Sequence, residues 1–458
     1  MHWEVEVALE RLGYWLSPRK KLLSELRAKW GRPGDKLVVL ASSFFDLTGE
    51  RSAQETVDNQ TWDDLEFPEI FTDLDTTVTP LGSQYLFKQM RTYNADPNDL
   101  KKQYQAYERL RADDALREEL QLKLAFLSKD EYECIADSVY GNFPQKPRYA
   151  ALVPGWGLMS ALVLLAVIFW SWPLWIWLLV LGVNLVFMFR TSWTLNSDVE
   201  AMTSCIKMLR VADKLASIDS DVASLDALRK LREGRADRIK AGRALRWISS
   251  LRNPLTSWVT VWFNFAFLAE NIAYIHSIRA FNAARSVFAS TFELVGSLDA
   301  AIAMACLLER CPNHCQPDFS DRRELDVEQA YHPLLRNPVS NSVRLHEQSA
   351  LVTGSNMAGK TTFIKMLGVN AIFGQTLGIC LADRATLPQT VVMASIAGRQ
   401  SVASGKSHYF AEVERIHEFL ERVDRGAGGV FVIDELFSGT NTAERLAVCR
   451  AVALPGWP

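Results

Sequence analysis

The segment with the clearest chemical signature is a glycine-rich loop that leads into a lysine and two hydroxyl side chains. Glycines let a backbone curl so that its N–H groups face phosphate oxygens, and a following lysine neutralises the β and γ oxygens of a nucleotide. The threonine after that lysine can ligate Mg²⁺. The residues that would bind a nucleotide are Gly354, Ser355, Asn356, Met357, Ala358, Gly359, Lys360, Thr361 and Thr362.

The residues around this loop have the required context. Leu351-Val352-Thr353 is a short β-type run before the loop, and Phe363-Ile-Lys-Met-Leu367 continues it with a helical pattern. A GxxxxGK[ST] loop is diagnostic when it lies between a strand and a helix. The sequence therefore predicts a P-loop that binds ATP and Mg²⁺.

Two adjacent carboxylates follow an apolar run further along the chain. Gly429-Val-Phe-Val-Ile433 reads as a buried strand, and it ends in Asp434 and Glu435. In a nucleotide hydrolase, an aspartate at this position holds Mg²⁺ together with the loop hydroxyl, and the next glutamate orients or deprotonates the attacking water. We predict Thr361 and Asp434 as metal ligands and Glu435 and Lys360 as catalytic residues.

Several segments together resemble the ATPase domain of the MutS family, which is an ABC-type head. The strongest are Thr353-Gly-Ser-Asn-Met-Ala-Gly-Lys-Thr-Thr362, Ser404-Gly-Lys-Ser407 and Asp434-Glu-Leu-Phe-Ser-Gly-Thr-Asn-Thr442. Fainter matches are His332-Pro-Leu-Leu335, Leu294-Val-Gly-Ser-Leu-Asp299 and Phe71-Thr-Asp-Leu-Asp75-Thr-Thr-Val-Thr-Pro80-Leu-Gly-Ser83. The last two are similar to the end of the lever and clamp region and to the start of the helical core.

This resemblance implies an ATPase that acts as a homodimer, is related to mismatch repair and binds DNA. Ser407 would act in trans on the ATP of a partner subunit, and Gly439 to Asn441 would lie at the dimer interface. The sequence departs from the family in having only about 60 residues before the helical core, so mismatch recognition is in doubt. The chain also stops at Pro458, before the family's next strand and its C-terminal dimerisation helices, which suggests a truncated head.

The overall composition hides a long uncharged segment. With 50 Lys+Arg against 53 Asp+Glu and 48% apolar residues, the chain is neither disordered nor histone-like. However, the 39 residues from Ala151 to Phe189 contain no charged side chain. A bilayer core takes about 20 apolar residues per helix, so this length predicts two short spans that break at Ser171-Trp172-Pro173.

The flanks of this segment predict its orientation. Trp170, Trp172, Trp175 and Trp177 gather at the break, where indoles would meet the far membrane interface. Lys146 and Arg148 precede the segment and Arg190 follows it. By the positive-inside tendency, we expect an inner (cytoplasmic) membrane protein with both soluble parts in the cytoplasm. The alternative is a helical hairpin buried in a large soluble core.

The remaining chain reads mainly as helix. Nine basic residues lie within the 24 positions from Arg229 to Arg252, and they predict either a phosphate-binding surface or an ordinary solvated face. Trp258 to Leu268 is apolar but short, which favours bundle core. Cys311-Pro-Asn-His314-Cys315 could offer three metal ligands, but the simpler interpretation is a loop after a helix.

These observations predict an α + α/β protein: a helical core and lever bundle with an inserted transmembrane hairpin, followed by a P-loop ATPase domain. The expected divisions are 1–55 (N-terminal helical segment), 56–150 (first part of the helical core), 151–190 (hairpin), 191–325 (lever and clamp) and 326–458 (ATPase domain). The favoured function is a MutS-like ATPase that couples the ATP state of a dimer to a helical lever. The alternatives are a membrane-tethered ATPase that acts without DNA and a catalytically dead remnant.

Overall fold

The computed structural model describes residues 18–34, 41–49, 54–128, 134–141, 147–218, 225–245, 257–355, 358–396 and 408–435. This part of the chain is mainly helical and carries two small sheets. Helices α1 to α8 are Pro18–Lys29, Ser43–Thr48, Asn59–Asp64, Phe67–Leu74, Pro80–Arg91, Pro97–Ala112, Asp114–Leu124 and Ile135–Tyr140.

Four of these helices begin at side chains that cap their first turn. Asp58, Thr79, Asp96 and Asp113 each accept a hydrogen bond from a backbone N–H two or three residues ahead. Proline follows Thr79 and Asp96 at the first helical position, where its missing N–H costs nothing. The starts of α3, α5, α6 and α7 are therefore encoded locally.

The uncharged segment forms two antiparallel helices, and the chain then continues through five more. Helices α9 to α15 are Val153–Trp170, Leu174–Ala216, Asp226–Glu233, Arg235–Ala244, Ser257–Phe267, Ala269–Ala283 and Arg285–Arg310. The predicted break at 171–173 is confirmed, because α9 ends at Trp170 and α10 begins at Leu174. Helix α10 runs without interruption for 43 residues and so joins the hairpin to the helical body.

Three helices are long and apolar enough to cross a membrane, and their burial separates them into two kinds. Helix α15 is 83% buried and is a core helix. Val153–Trp170 and Leu174–Thr191 are each only 17% buried, so most of their apolar side chains are uncovered within the described chain. Among the described residues, no core of this chain therefore encloses the hairpin.

Helix α13 differs from its predicted place in the bundle core. Val261, Trp262 and Phe263 are 60%, 68% and 54% exposed, and the helix packs on α9 and α10 beside this open face. The prediction failed because apolar composition alone does not show whether the rest of the chain covers a segment.

The C-terminal part carries the strands. They are β1 (Asp318–Ser320), β2 (Glu324–Ala330), β3 (Asn341–His346), β4 (Arg384–Pro388), β5 (Val391–Ile396) and β6 (Gly429–Asp434), with helix α16 (Lys360–Thr376) before β4 and helix α17 (His408–Asp424) before β6. One sheet has the order β1-β4-β2-β3, in which β1 and β4 are parallel and β2 is antiparallel to both its neighbours. Strands β5 and β6 form a separate parallel pair. Since β1 pairs with β4, the sheet begins before the predicted boundary at residue 326.

Two apolar clusters share helix α15. The first surrounds its N-terminal half and includes the lower part of α10, from Val199 to Ala216. The second surrounds its C-terminal half and joins α3 to α5 with α16 and the strands. The long buried helix therefore connects the helical body to the part that carries the predicted nucleotide loop.

Candidate functional site

The predicted nucleotide loop ends at the start of α16. Gly359 precedes that helix with φ = +82°, a left-handed conformation that favours glycine. No side chain caps the helix, so the first-turn N–H groups remain available to an anion. The Lys360 ammonium donates a hydrogen bond to the Gly354 carbonyl oxygen at 2.6 Å, which folds its side chain back over the loop.

The two predicted metal ligands meet in the structure. The Thr361 hydroxyl donates a hydrogen bond to Asp434 Oδ2 at 2.5 Å, across 73 positions of sequence. Thr361 lies in the first turn of α16 and Asp434 ends β6, so a helix and a strand fix the two oxygen atoms. A hydroxyl and a carboxylate are the hard oxygen ligands that Mg²⁺ prefers.

Glu435 follows Asp434 in an uncommon backbone conformation. Its φ is +50°, which non-glycine residues seldom adopt, and its side chain is exposed. Backbone strain of this kind concentrates at functional positions and favours a role for this residue. Glu435 thus stands next to the Thr361–Asp434 pair, as the sequence predicts.

The predicted strand before the loop is absent. Residues 351–355 have no regular structure and are exposed, and Leu351 is 91% exposed. A strand requires a neighbour that takes up its backbone groups. Within the described residues, β6 pairs with β5 on one side, and no ladder includes residues 351–355.

Some predicted site residues lie outside the described residues. These are Asn356 and Met357 of the loop, Ser407, and Gly439 to Asn441. Of the other loop residues, Gly354, Ser355, Ala358 and Thr362 are exposed, and Ala358 N donates to Ser355 O at 3.2 Å.

The free edge of β5 is held by side chains that sequence reasoning missed. The N–H groups of Val392, Ala394 and Ile396 donate to Tyr93 Oη, Thr61 Oγ1 and Asp64 Oδ2 at 3.0, 2.9 and 2.9 Å. Burial raises the pKa of Asp64, and the N–H of Ile396 opposes this shift. These contacts cover an edge that would otherwise present unpaired N–H groups, and we call them the β5 seam.

Arg415 of α17 anchors the β5 seam. Its side chain is 4% exposed and donates to Asp58 Oδ1 and Oδ2, both at 3.0 Å. It also donates to Thr61 Oγ1 at 2.7 Å and to Ala394 O at 3.0 Å. The spacing of Asp58 and Thr61 is an N-cap signal in the sequence, but nothing there assigns a strand edge more than 300 positions away.

His332, which the family resemblance singles out, is a buried neutral imidazole. It is 4% exposed, and burial lowers its pKa to about 4. The N–H of Leu334 donates to its Nδ1 at 3.4 Å, and its buried Nε2 has no partner among the described residues. The nearby Lys365 of α16 pairs with Glu66 at 3.0 Å, which ties the nucleotide-loop helix to the start of α4.

The two segments that resemble the helical core and the lever meet at a buried carboxylate. Asp299 of α15 accepts hydrogen bonds from Val78 N at 2.9 Å and from Thr79 N at 2.7 Å. A Cβ on Gly82 would lie 2.3 Å from Asp299 Oδ2, so glycine permits this close approach. The structure thus joins two segments of the resemblance across 220 positions of sequence.

Much of the basic stretch is engaged within the chain. Arg229 pairs with Asp226 and Glu233, and Lys230 pairs with Asp226. Arg232 donates to the carbonyls of Ala216 and Ile218, and the buried Arg238 pairs with Asp213. Three further basic side chains are exposed, namely Arg235, Lys240 and Arg243. Arg246 and Arg252 lie outside the described residues.

The cysteine and histidine cluster is a structural loop. His314 Nδ1 lies 2.6 Å from Cys311 O, and His314 Nε2 lies 3.1 Å from Glu108 Oε1, so both ring nitrogens have protein partners. Glu324, Asp326 and His346 could geometrically hold a metal ion, but Arg344 already pairs with Asp326 and His346 with Glu324. Neither group extends the candidate site.

Comparisons with known proteins define the class. Residues 350–454 match the family described as MutS domain V, and this domain is the ATPase domain of the MutS family. The matched range contains the candidate site from Gly354 to Glu435. The predicted resemblance to the MutS family is confirmed over this matched range.

Individual relatives each match about a third of this chain. Endonuclease MutS2 of Thermus thermophilus is 34% identical over 165 residues, which are 35% of this chain and 22% of that protein. DNA mismatch repair protein MutS of Lactobacillus delbrueckii subsp. bulgaricus is 29% identical over 34% of this chain and 19% of its own length. DNA mismatch repair protein msh3 of Aspergillus niger is 27% identical over 36% of this chain and 15% of its own. The chain thus covers about a fifth of the length of these relatives.

Proposed function

We propose that this chain binds and hydrolyses ATP with Mg²⁺ and that it transmits its nucleotide state to the helical body. The single observation that carries the proposal is the contact of Thr361 with Asp434, which brings the end of β6 to the start of α16. Mg²⁺ bound there would neutralise charge on the β- and γ-phosphates. Lys360 would turn from Gly354 O to the phosphate oxygens, and Glu435 would orient the attacking water or accept its proton.

The β5 seam supports the proposed transmission. In the register of β5 with β6, Ile396 lies opposite Asp434, and the N–H of Ile396 is held by Asp64 of α3. A shift of β6 at the metal ligands would therefore reach α3 through one strand pair. By resemblance to the family, ATP would lie between two heads of a homodimer, with Ser407 and Gly439 to Asn441 facing the partner's nucleotide.

The proposed setting is a membrane. Helix α9 and the first 18 residues of α10 would cross a bilayer, because at about 1.5 Å per residue they are close to 27 Å long. Their apolar surface is uncovered, and basic residues flank the segment 151–190. Both soluble parts would then lie in the cytoplasm, with the protein in the inner membrane.

DNA is the expected partner, as the names of the relatives suggest, but the structure favours a second candidate. Arg229, Lys230, Arg232 and Arg238 are engaged within the chain, which leaves a smaller basic surface for phosphates. A membrane-tethered ATPase that acts on lipid or protein without DNA is therefore the alternative.

ATP turnover tests the proposal. We expect the purified protein in lipid vesicles to hydrolyse ATP, Lys360→Ala to lose nucleotide binding, and Glu435→Gln to bind ATP without turnover. The exposed Lys102→Ala and Glu421→Gln are matched controls that should behave as the parent. Turnover by Lys360→Ala or Glu435→Gln at the parent's rate would refute the assigned roles, and binding without turnover by the parent would indicate a catalytically dead head.

The DNA arm of the test separates the two candidates. Homoduplex, mismatched and branched DNA are added at two salt concentrations, because phosphate contacts weaken steeply with salt. Salt-sensitive stimulation that is lost in Arg235→Ala/Lys240→Ala/Arg243→Ala supports DNA binding. Turnover that is indifferent to DNA and depends on lipid supports the second candidate.

A further inference from the structure

Helices α13 and α14 are separated by a break that frees backbone carbonyl groups. Leu268 has φ = +55°, and its N–H donates to Asn264 O at 2.8 Å. The N–H of Glu270, which would serve Ala266 O in a continuous helix, instead donates to Asn264 Oδ1 at 3.1 Å. The carbonyls at the end of α13 therefore need donors from elsewhere.

Side chains of the hairpin supply those donors. Asn184 Nδ2 donates to Phe265 O at 3.0 Å and to Ala266 O at 2.9 Å, and Ser160 Oγ donates to Ala266 O at 2.6 Å. Asn184 Oδ1 in turn accepts from Trp156 Nε1 at 2.7 Å. Asn184 and Ser160 are both 0% exposed, and we call Trp156, Ser160 and Asn184 the break clamp.

The break lies inside the apolar layer of the hairpin. Ser160 is seven residues from the start of α9 at Val153. Asn184 is seven residues from Thr191, where the apolar segment Leu174–Thr191 ends. At about 1.5 Å per residue, both counts place the break about 10 Å from the same edge of the layer. Two independent helices thus agree on its depth.

The exposed side chains of α13 are close to this depth. Val261 is five residues before Ala266, so the exposed residues 261–263 lie within about 8 Å of the break along the helix axis. They therefore remain within the layer whichever way the helix points. Helix α13 packs against α9 and α10, whose own apolar side chains are mostly exposed.

We propose that α13 is a third membrane-embedded segment, that its exposed face Val261-Trp262-Phe263 contacts lipid hydrocarbon, and that the break clamp satisfies its carbonyls where water is absent. Irregular backbone at membrane depth is tolerated only where protein groups take up its hydrogen bonds, and the clamp meets this requirement. The inference rests on the proposed membrane insertion of the hairpin.

Spin-label accessibility tests this inference. Nitroxides are placed at Trp262→Cys, at Leu162→Cys as the hairpin reference and at Ala236→Cys as the water reference on α12, with the labelled parent as background. The proteins are reconstituted in phosphatidylethanolamine/phosphatidylglycerol vesicles, and relaxation by oxygen is compared with relaxation by a nickel chelate. We expect the label at 262 to follow the label at 162, with oxygen favoured and nickel excluded.

Three results would overturn the inference, and they are distinguishable. Nickel access at 262 with a lipid-exposed 162 would place α13 in water and leave the hairpin proposal intact. Nickel access at both positions would remove the hairpin proposal as well. Low access to both reagents with spin–spin broadening would show that a second copy covers the face.

The clamp has its own variant. Asn184→Leu, made in the protein labelled at 262, removes the two hydrogen bonds that Asn184 Nδ2 donates to Phe265 O and Ala266 O. The control Val183→Ala changes the neighbouring exposed position. We expect nickel access at 262 to rise about threefold for each lost intramembrane hydrogen bond in Asn184→Leu. We expect no change in Val183→Ala. Equal access in the two variants would overturn the role of the clamp.

Discussion

Arg415 offers the sharpest test of how the strand pair is attached to the helical body. The substitution Arg415→Met keeps most of the aliphatic length and removes the guanidinium. That group is 4% exposed and serves Asp58, Thr61 and Ala394 O together. Its loss removes the guanidinium donor from the Ala394 carbonyl and leaves Asp58 without this positive partner, although Asp58 keeps its hydrogen bonds from Thr61.

The size of the effect follows from the burial of each partner. Removing one member of a buried ion pair costs about 3–5 kcal/mol. Since the side chain of Asp58 is 36% exposed, water screens part of this charge, and we expect a loss of about 2–3 kcal/mol. For a unit of about 200 residues this lowers the melting midpoint by about 4–12 °C.

The assay is thermal unfolding in detergent, with ATP turnover measured in parallel. Arg425→Met is the matched control, because Arg425 lies just after α17 and its pair with Glu421 is exposed at 74% and 46%. Exposed pairs contribute less than about 1 kcal/mol, so this control should melt close to the parent. Equal shifts for the two variants would show that the β5 seam does not stabilise the protein.

Three further predictions concern other positions of the fold, and each is measured by thermal or chemical unfolding. Burial lowers the pKa of His332 to about 4. The free energy of unfolding is therefore undiminished by His332 above pH 6.5, and it falls by at most about 3 kcal/mol as the pH drops toward 4. His332→Leu should remove this part of the pH dependence. Gly359→Ala should cost about 1–2 kcal/mol because φ is +82°. Gly354→Ala should cost less, because its Cβ would make only ordinary contacts of 3.8–3.9 Å with the side chains of Lys360 and Ala358, and equal losses would contradict the conformational argument. Asp299→Asn should cost about 2 kcal/mol because its amide group would face the N–H donors of Val78 and Thr79. The exposed Asp321→Asn is the control. An Asp299→Asn variant as stable as the parent would show that these hydrogen bonds do not need a carboxylate.

The sequence predicts those features that depend on neighbouring residues. Thr79-Pro80 and Asp96-Pro97 begin helices as their capping chemistry requires, and the chain turns at 171–173, where Pro173 interrupts the uncharged run. The contact of Thr361 with Asp434 can also be predicted, because a P-loop hydroxyl and the carboxylate at the end of the later strand ligate the same Mg²⁺.

Features that depend on distant partners could not be predicted in this way. The run at 351–353 has strand composition, but no described strand pairs with it. The apolar run of α13 carries no sign of the surface it faces, and Asn184 reads as a lone polar residue until the broken helix beside it is known. Arg415 is one of two arginines in a charged helix, and only the fold brings it to Asp58.

The unbroken course of α10 has a mechanical consequence. No glycine or proline occurs from Val183 to Ala216, so the helix offers no local point at which to bend. Its last 25 residues extend about 38 Å beyond Thr191, so in the proposed membrane setting a 10° change of tilt would displace the end at Ala216 sideways by about 7 Å. Transmembrane helices adjust their tilt to bilayer thickness. A change in the thickness of the surrounding membrane would then change the tilt of α10. That change of tilt would strain the buried contacts that Val199 to Ala216 make in the helical body.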